Sequence, residues 1–227
     1  MSQNIKVSVD AVVFGYNPDE GVSVLLITRK NEPFQKFWAL PGGLVKNTES
    51  LEEAVQRELK EEASIEVNYL EQLYSFGKPG RDPRNRVISI AYYALVRPED
   101  YQIAANTDAE DVAWFNIKKL PKLAFDHKQI VETAIKRLRG KIAYEPVGFE
   151  LLDKKFAFSD LEKLYRILLD QEIDRRNFKK KIMAYGLLEE LTESVQRGAG
   201  RPARLFQFNK KKYFELKEKG YNFDLFL

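Results

Sequence analysis

Glu58, Glu61 and Glu62 stand at i, i+3 and i+4, a spacing that projects all three carboxylates from one helical face. Like charges this close repel and disfavour the helix unless a cation neutralises them. Mg2+ suits such a set, because it takes a few carboxylate oxygens and completes its shell with water and substrate phosphate. It would polarise a phosphoryl oxygen and acidify an attacking water. Arg57, two turns after Glu49, can pair with it and hold the preceding loop against the helix. Gly42 and Gly43, just upstream, let the backbone approach a phosphate closely. Three clustered carboxylates are also what any Glu-rich surface helix presents, so their meaning rests on the surrounding residues.

Other chemistry-bearing residues are less selective. Glu110 and Asp111, near a strand end, are both candidates for a general base, and no spacing chooses between them. Arg81, Arg84 and Arg86 in the loop 77–86 could meet phosphates, or form an exposed basic loop. His127, the only histidine, reads as a packing or hydrogen-bonding residue at a helix start.

A second constellation is cationic. Around 175–185, Arg175, Arg176, Lys179, Lys180 and Lys181 point away from an apolar side of Phe178, Ile182 and Tyr185. A short helix with a cationic N-terminal half suits the major groove of DNA, and Asn177 can pair with adenine. The turn 197–204 carries Arg201 and Arg204 in a Gly-rich stretch before a strand, placing them for phosphate or minor-groove contact. Lys210, Lys211 and Lys212 add charge nearby. Residues 175–212 hold 11 Lys and Arg against 3 Asp and Glu, whereas residues 1–149 hold 20 against 21. The excess is local, as expected of a polyanion-binding region.

These residues need elements to position them. Strands are predicted at 7–14 and 22–28, separated by a Pro- and Gly-containing turn, with further strands near 67–76, 86–96 and 112–115. A helix of about fourteen residues follows Gly43, opened by a capping box of Ser50 and Glu53, with Leu51, Ala54, Val55 and Leu59 inward. A second amphipathic helix is predicted over 123–139. A mixed sheet with helices on both faces accounts for this order, an α/β arrangement. Gly140, Pro146 and Gly148 interrupt periodicity and suggest a domain boundary, giving domains at 1–145 and 150–227. Beyond it come a helix over 159–169 capped by Ser159 or Asp160, a helix over 175–185 capped by Asp174, a terminating Gly186 and a strand over 203–208.

Composition narrows the class. Hydrophobic residues make up 44% and charged residues 31%, as in globular domains. No run is long enough for a membrane span, and residues 1–6 lack the regions of a signal peptide. The absence of cysteine excludes disulfide scaffolds and thiolate chemistry. These features favour the cytoplasm.

The acidic helix also resembles a known motif. Gly43, five residues, Glu49, seven residues, Arg57, Glu58 and Leu59, one residue, then Glu61 and Glu62 match the Nudix box at every polar position, after the lead-in Phe37-Trp38-Ala39-Leu40-Pro41-Gly42. Ser64 stands where that motif has a Gly that caps the helix in left-handed conformation, so the helix end is expected to shift. With the cationic helix, the basic turn and the strand, the whole chain resembles Nudix-related transcriptional regulators, which join an N-terminal Nudix domain to a winged helix-turn-helix. The resemblance extends to the segments 80–84, 123–127, 174–178 and 200–205. It implies a homodimer that represses NAD-metabolism genes on palindromic operator DNA and senses ADP-ribose or a related small-molecule effector; a sugar-responsive branch is the alternative. It also implies a ligand site at Gly42, Gly43, Arg81 and Arg86, with Glu49, Arg57, Glu58, Glu61 and Glu62 as the catalytic set. Many family members have a degraded box, whereas this chain keeps these residues, so Mg2+-dependent ADP-ribose pyrophosphatase activity stands beside sensing.

Overall fold

The computed structural model describes residues 4–105, 109–196, 200, 202–223 and 225, and divides into two compact units, 1–136 and 137–227. In the first unit, β1 (Lys6–Asn17) and β2 (Gly21–Arg29) form a hairpin, followed by the short strands β3 (Trp38–Ala39) and β4 (Gly42–Leu44). Helix α1 (Leu51–Ala63) comes next, then β5 (Leu70–Phe76), β6 (Val87–Val96) and β7 (Ala109–Asn116). Seven strands make one mixed sheet in the order β3-β2-β1-β6-β5, with β4 also on β1 and β7 also on β2. Among the described strands only β1 and β6 pair with each other in parallel, and their register sets Ser8 beside Ser89 and Asp10 beside Ala91.

The central strand β1 is buried from Ser8 to Tyr16, as expected where both faces of a sheet are covered. Val9, Ala11 and Val13 pack in one cluster with Ala54, Val55 and Leu59 of α1, while Val12 and Phe14 are equally inaccessible. Each fully buried aliphatic side chain of this kind contributes about 1.5–3 kcal/mol. The capping box forms as expected: Ser50 Oγ accepts from Glu53 N, and the Glu53 carboxylate accepts from Ser50 N at 2.7 Å. The helix end does not shift. Ser64 itself takes the left-handed conformation (φ 58°), and its N–H donates to the carbonyls of Leu59 and Lys60. Its hydroxyl donates to Ala104 O at 3.4 Å, a bond that glycine could not make.

Helix α2 spans His127–Tyr144, so it begins four residues later than periodicity predicts and continues through Gly140 rather than stopping there. The late start has a local cause. Leu123 bridges Trp38, Ala124 N donates to Trp38 O at 2.8 Å, and Phe125 is left-handed (φ 50°), which no helical residue can be. The strand predicted from 67 likewise begins at Leu70.

The second unit contains β8 (Phe156–Ala157), α3 (Phe158–Leu169), α4 (Arg175–Ala184), β9 (Leu188–Val195), β10 (Ala203–Phe208) and α5 (Lys210–Glu218). The strands form an antiparallel sheet, β8-β10-β9. The cap of α3 is Ala157, not Ser159 or Asp160; Asp160 sits at the third helical position and accepts from Ala157 N at 3.0 Å. Asp174 caps α4 as expected, accepting from Asn177 N at 3.0 Å, and Gly186 ends the turn after it with φ 68°. Phe178 and Ile182 are buried, whereas Tyr185 is half-buried against Phe223. Besides the short β8, two elements of this unit have no counterpart in the periodicity. Strand β9 is Glu-rich and mostly exposed, and α5 begins inside the Lys210–Lys212 run, with Tyr213 and Leu216 as its buried anchors. Among the described residues no helix is long and apolar enough to cross a membrane.

Candidate effector cleft and nucleic-acid interface

Arg57 is the hub of the acidic helix. Its Nε and Nη2 donate to the two carboxylate oxygens of Glu49 at 2.8 and 2.6 Å, the bidentate pairing expected from their spacing. Its Nη1 donates to Glu58 at 2.6 Å and to Glu61 at 3.2 Å, and Nη2 also reaches Leu44 O at 3.2 Å. These bonds hold the Glu49 carboxyl down at about 2, while burial pushes the Glu58 carboxyl up. The Arg57 guanidinium is raised further above its ordinary value, first by Glu49.

Glu62 faces elsewhere, accepting from Gly42 N at 2.8 Å. Neither glycine leaves room for a side chain. A Cβ on Gly42 would stand 2.2 Å from Val9 O, and one on Gly43 would stand 2.3 Å from Glu58 Oε1. The expected metal set is therefore spread out: among the described residues no three acidic or histidine side chains are grouped as a ready metal site. The donor chemistry still fits a hard divalent cation, since three carboxylates lie within two helical turns beside a glycine pair closely approached by backbone and carboxylate.

The same two glycines line a cavity of about 100 Å3 whose wall also includes Ser8, Asp10, Leu40, Arg81, Arg84 and His127. Its charges are neutralised internally. Arg81 donates through Nε and Nη2 to Asp126 at 3.0 and 2.7 Å, and its Nη2 lies 3.3 Å from Asp10. Burial works against the Arg81 charge, but these carboxylates outweigh it and raise its pKa. Arg84 pairs with Asp82 at 2.7 Å, which lowers the Asp82 carboxyl. Arg29 sits 4.8 Å over the Phe125 ring, and burial lowers its pKa. Buried Ser89 donates to Asp10.

His127 is fully enclosed, and its Nδ1 accepts from Leu40 N at 2.9 Å. That bond places the ring proton on Nε2, 3.5 Å from Asp10. Burial pushes the imidazole pKa down, so the ring is neutral as well as packed.

Gly42, Gly43 and Arg81 thus meet at one cavity. Arg86 does not join them; it is exposed and donates to the neighbouring Val87 O. Glu110 and Asp111 are exposed on β7 and outside the cavity lining. Asp10, Ser89, Arg29 and Asp126 escaped sequence reasoning. A signal existed for Asp10, a lone charge inside the apolar run 7–14, because a buried charge needs a partner.

The cationic residues of α4 have a different setting. Arg175, Arg176, Lys179, Lys180 and Met183 line a shallow open groove. Arg175 pairs with Glu162 at 2.6 Å, and Lys179 stands over the rings of Phe158 and Phe206 at 5.4 and 5.3 Å. Arg176 and Lys180 are exposed, with no ion-pair partner among the described residues. Asn177 is half-buried in the first turn. Arg204 is more than half exposed on β10, 3.6 Å from Glu190. Arg201 lies outside the described residues.

Comparison with known proteins finds matches in both parts of the chain. A NUDIX domain model matches residues 6–134, and a model of the NrtR DNA-binding winged helix domain matches residues 148–208. The chain is 32% identical over 210 residues to the ADPR responsive transcriptional repressor NtrR of Acinetobacter baylyi, covering 91% of this chain and 83% of that protein. It is 38% identical over 134 residues to an ADP-ribose pyrophosphatase of Methanocaldococcus jannaschii, covering 59% of this chain and 75% of that one. Its fold is similar to that of Shewanella oneidensis NrtR crystallised with a 27mer DNA (TM-score 0.82, 33% identity, 97% of this chain and 99% of that one). The NUDIX domain of the same Shewanella protein, solved with ADP ribose, matches 61% of this chain and 90% of its own length (TM-score 0.54, 39% identity).

Proposed function

Because the chain belongs to the Nudix-related transcriptional regulators, we propose that it represses NAD-metabolism genes in response to ADP-ribose or a related nucleotide. In this reading residues 1–145 bind the effector and residues 150–227 bind operator DNA. The observation that carries it is the exposed cationic groove of α4 in a chain that also keeps the whole acidic box. A Nudix hydrolase alone does not need that groove. Helix α4 enters the major groove, with Arg175, Arg176, Asn177, Lys179 and Lys180 towards the duplex, and Arg201 and Arg204 contact phosphate or minor groove. Gly42, Gly43 and Arg81, joined by Arg84, receive the effector's diphosphate. The working species is a homodimer, and the effector acts by binding one dimer state more tightly than the other.

Fluorescence anisotropy on the upstream region of the chain's own operon tests this reading. Binding should weaken steeply with salt and change when ADP-ribose is added. Unaltered binding by an Arg175→Ala, Arg201→Ala double variant would remove the winged-helix assignment.

The intact cluster of Glu49, Arg57, Glu58, Glu61 and Glu62 supports a second activity, hydrolysis of ADP-ribose. Glu58, Glu61 and Glu62 would hold the divalent cation, Mg2+ by its preference for hard oxygen, which when bound supplies Lewis-acid polarisation of phosphoryl oxygen and an acidified water. Arg57 orients Glu58 and Glu61 and ties the Glu49 loop to α1. Glu61→Gln with Glu62→Gln should abolish any turnover; full turnover by that double variant refutes the assignment.

A further inference from the structure

Asp126 has two competing uses in this fold. Its carbonyl accepts from Gln129 N and Ile130 N, which makes it the residue that opens α2. An Asp there ordinarily turns its carboxylate onto the first-turn amides. Here both carboxylate oxygens accept from Arg81 instead, at 2.7 and 3.0 Å. Arg81 also touches Asp10, but Asp10 is fixed by Ser89 and faces His127 Nε2 at 3.5 Å. Asp126 is the more exposed of the two carboxylates, 19% against 8%. The cavity that Arg81 and Asp10 line holds about 100 Å3, well under the ~300–1,000 Å3 of ordinary ligand pockets, so a nucleotide enters only if side chains give way. A phosphate offers Arg81 the same two-oxygen edge that Asp126 now supplies.

We propose that Asp126 is a built-in competitor for the effector: it holds Arg81 until a phosphate group takes its place, and then caps α2. This rests on the cleft being a diphosphate site, as above. Competition of this kind lowers apparent affinity by the fraction of molecules in which Arg81 is bound internally. Asp126 is thus a positioning residue that sets the effector concentration at which the protein responds.

Isothermal titration of the full chain with ADP-ribose tests the idea. Asp126→Asn and Asp126→Ser each keep a helix-capping oxygen and remove the charge, and two such variants guard against one that fails to fold. Both should bind about tenfold tighter than the unaltered chain. Arg81→Gln should bind more weakly, and Asp126→Asn added to it should change nothing, because the competition needs the guanidinium. A merely structural Asp126 would weaken binding, or shift it equally in both backgrounds, and either result overturns the proposal. Unchanged affinity in both Asp126 variants, with the unaltered chain binding normally, removes the competitor alone. Failure of the unaltered chain to bind ADP-ribose removes the effector reading and the competitor together.

Discussion

The candidate effector cleft and the α4 face both carry cations, arginines in the first and arginines with lysines in the second, but they prepare them oppositely. In the cleft Arg81 and Arg84 are held by carboxylates, and Arg81 is almost fully buried. On α4 Arg176 and Lys180 stand in water, and Lys179 rests on two aromatic rings that bring it no counter-charge. A buried cation without a partner is costly, so a small-ligand site must neutralise its own charges before the ligand arrives. An exposed cation has no such need, and it gains by releasing the condensed counterions of DNA. On the proposed function the cleft would select by exchange of partners, whereas the helix face would attract by net charge.

Four variants would break or sharpen this contrast. The largest effect is expected at Gly42, where an alanine Cβ would stand 2.2 Å from a backbone oxygen. Gly42→Ala should cost about 3 kcal/mol of stability in the first unit by chemical denaturation. A neutral outcome would mean that the cleft wall is not rigid. Next comes Arg176→Ala with Lys180→Ala, which should weaken operator binding about 100-fold and lower the salt slope by about 2. Such a variant should leave ADP-ribose affinity unchanged; a parallel loss would erase the division of labour.

His127 gives a smaller, pH-dependent effect. Burial depresses its folded pKa below 6.5, so the unfolded chain binds the proton first as pH falls. Stability is therefore full above pH 6.5 and declines below it. Between pH 7 and 5 the melting temperature should drop by about 2–4 °C, and His127→Gln, though less stable, should flatten that drop. An identical pH profile in the variant would show that the histidine is not buried neutral. Smallest is Ser64→Gly, which relieves a left-handed serine but loses its bond to Ala104. A net gain of about 0.5 kcal/mol is expected by thermal melting.

Much of both regions was legible in the chain because the relevant signals are local. The Ser50 and Glu53 capping box, the Asp174 cap, the Glu49 and Arg57 pairing and the cationic side of α4 each depend on residues within about two helical turns. Strand β9 was not legible: its exposed glutamates carry no alternation, and pairing with β10 is what makes it a strand. The cap of α3 was misplaced because Asp160 serves equally well at the third helical position, and only the hydrogen bond to Ala157 distinguishes the two.

Sequence alone therefore determined the identity of the box, the order of the longer elements of the first unit and the excess charge near the C-terminus, since these follow from spacing and composition. Tertiary structure alone decided that Asp10 of β1, Ser89 of β6, Arg81 of a loop and Asp126 at the head of α2 share one site. The parallel pairing of β1 with β6 and the left-handed turn at Phe125 bring these positions together across up to 116 residues. It also decided that His127 is a neutral acceptor for Leu40 and that Arg86 stays outside the cavity. Burial sets those outcomes, and burial belongs to the packed fold rather than to any local stretch of chain.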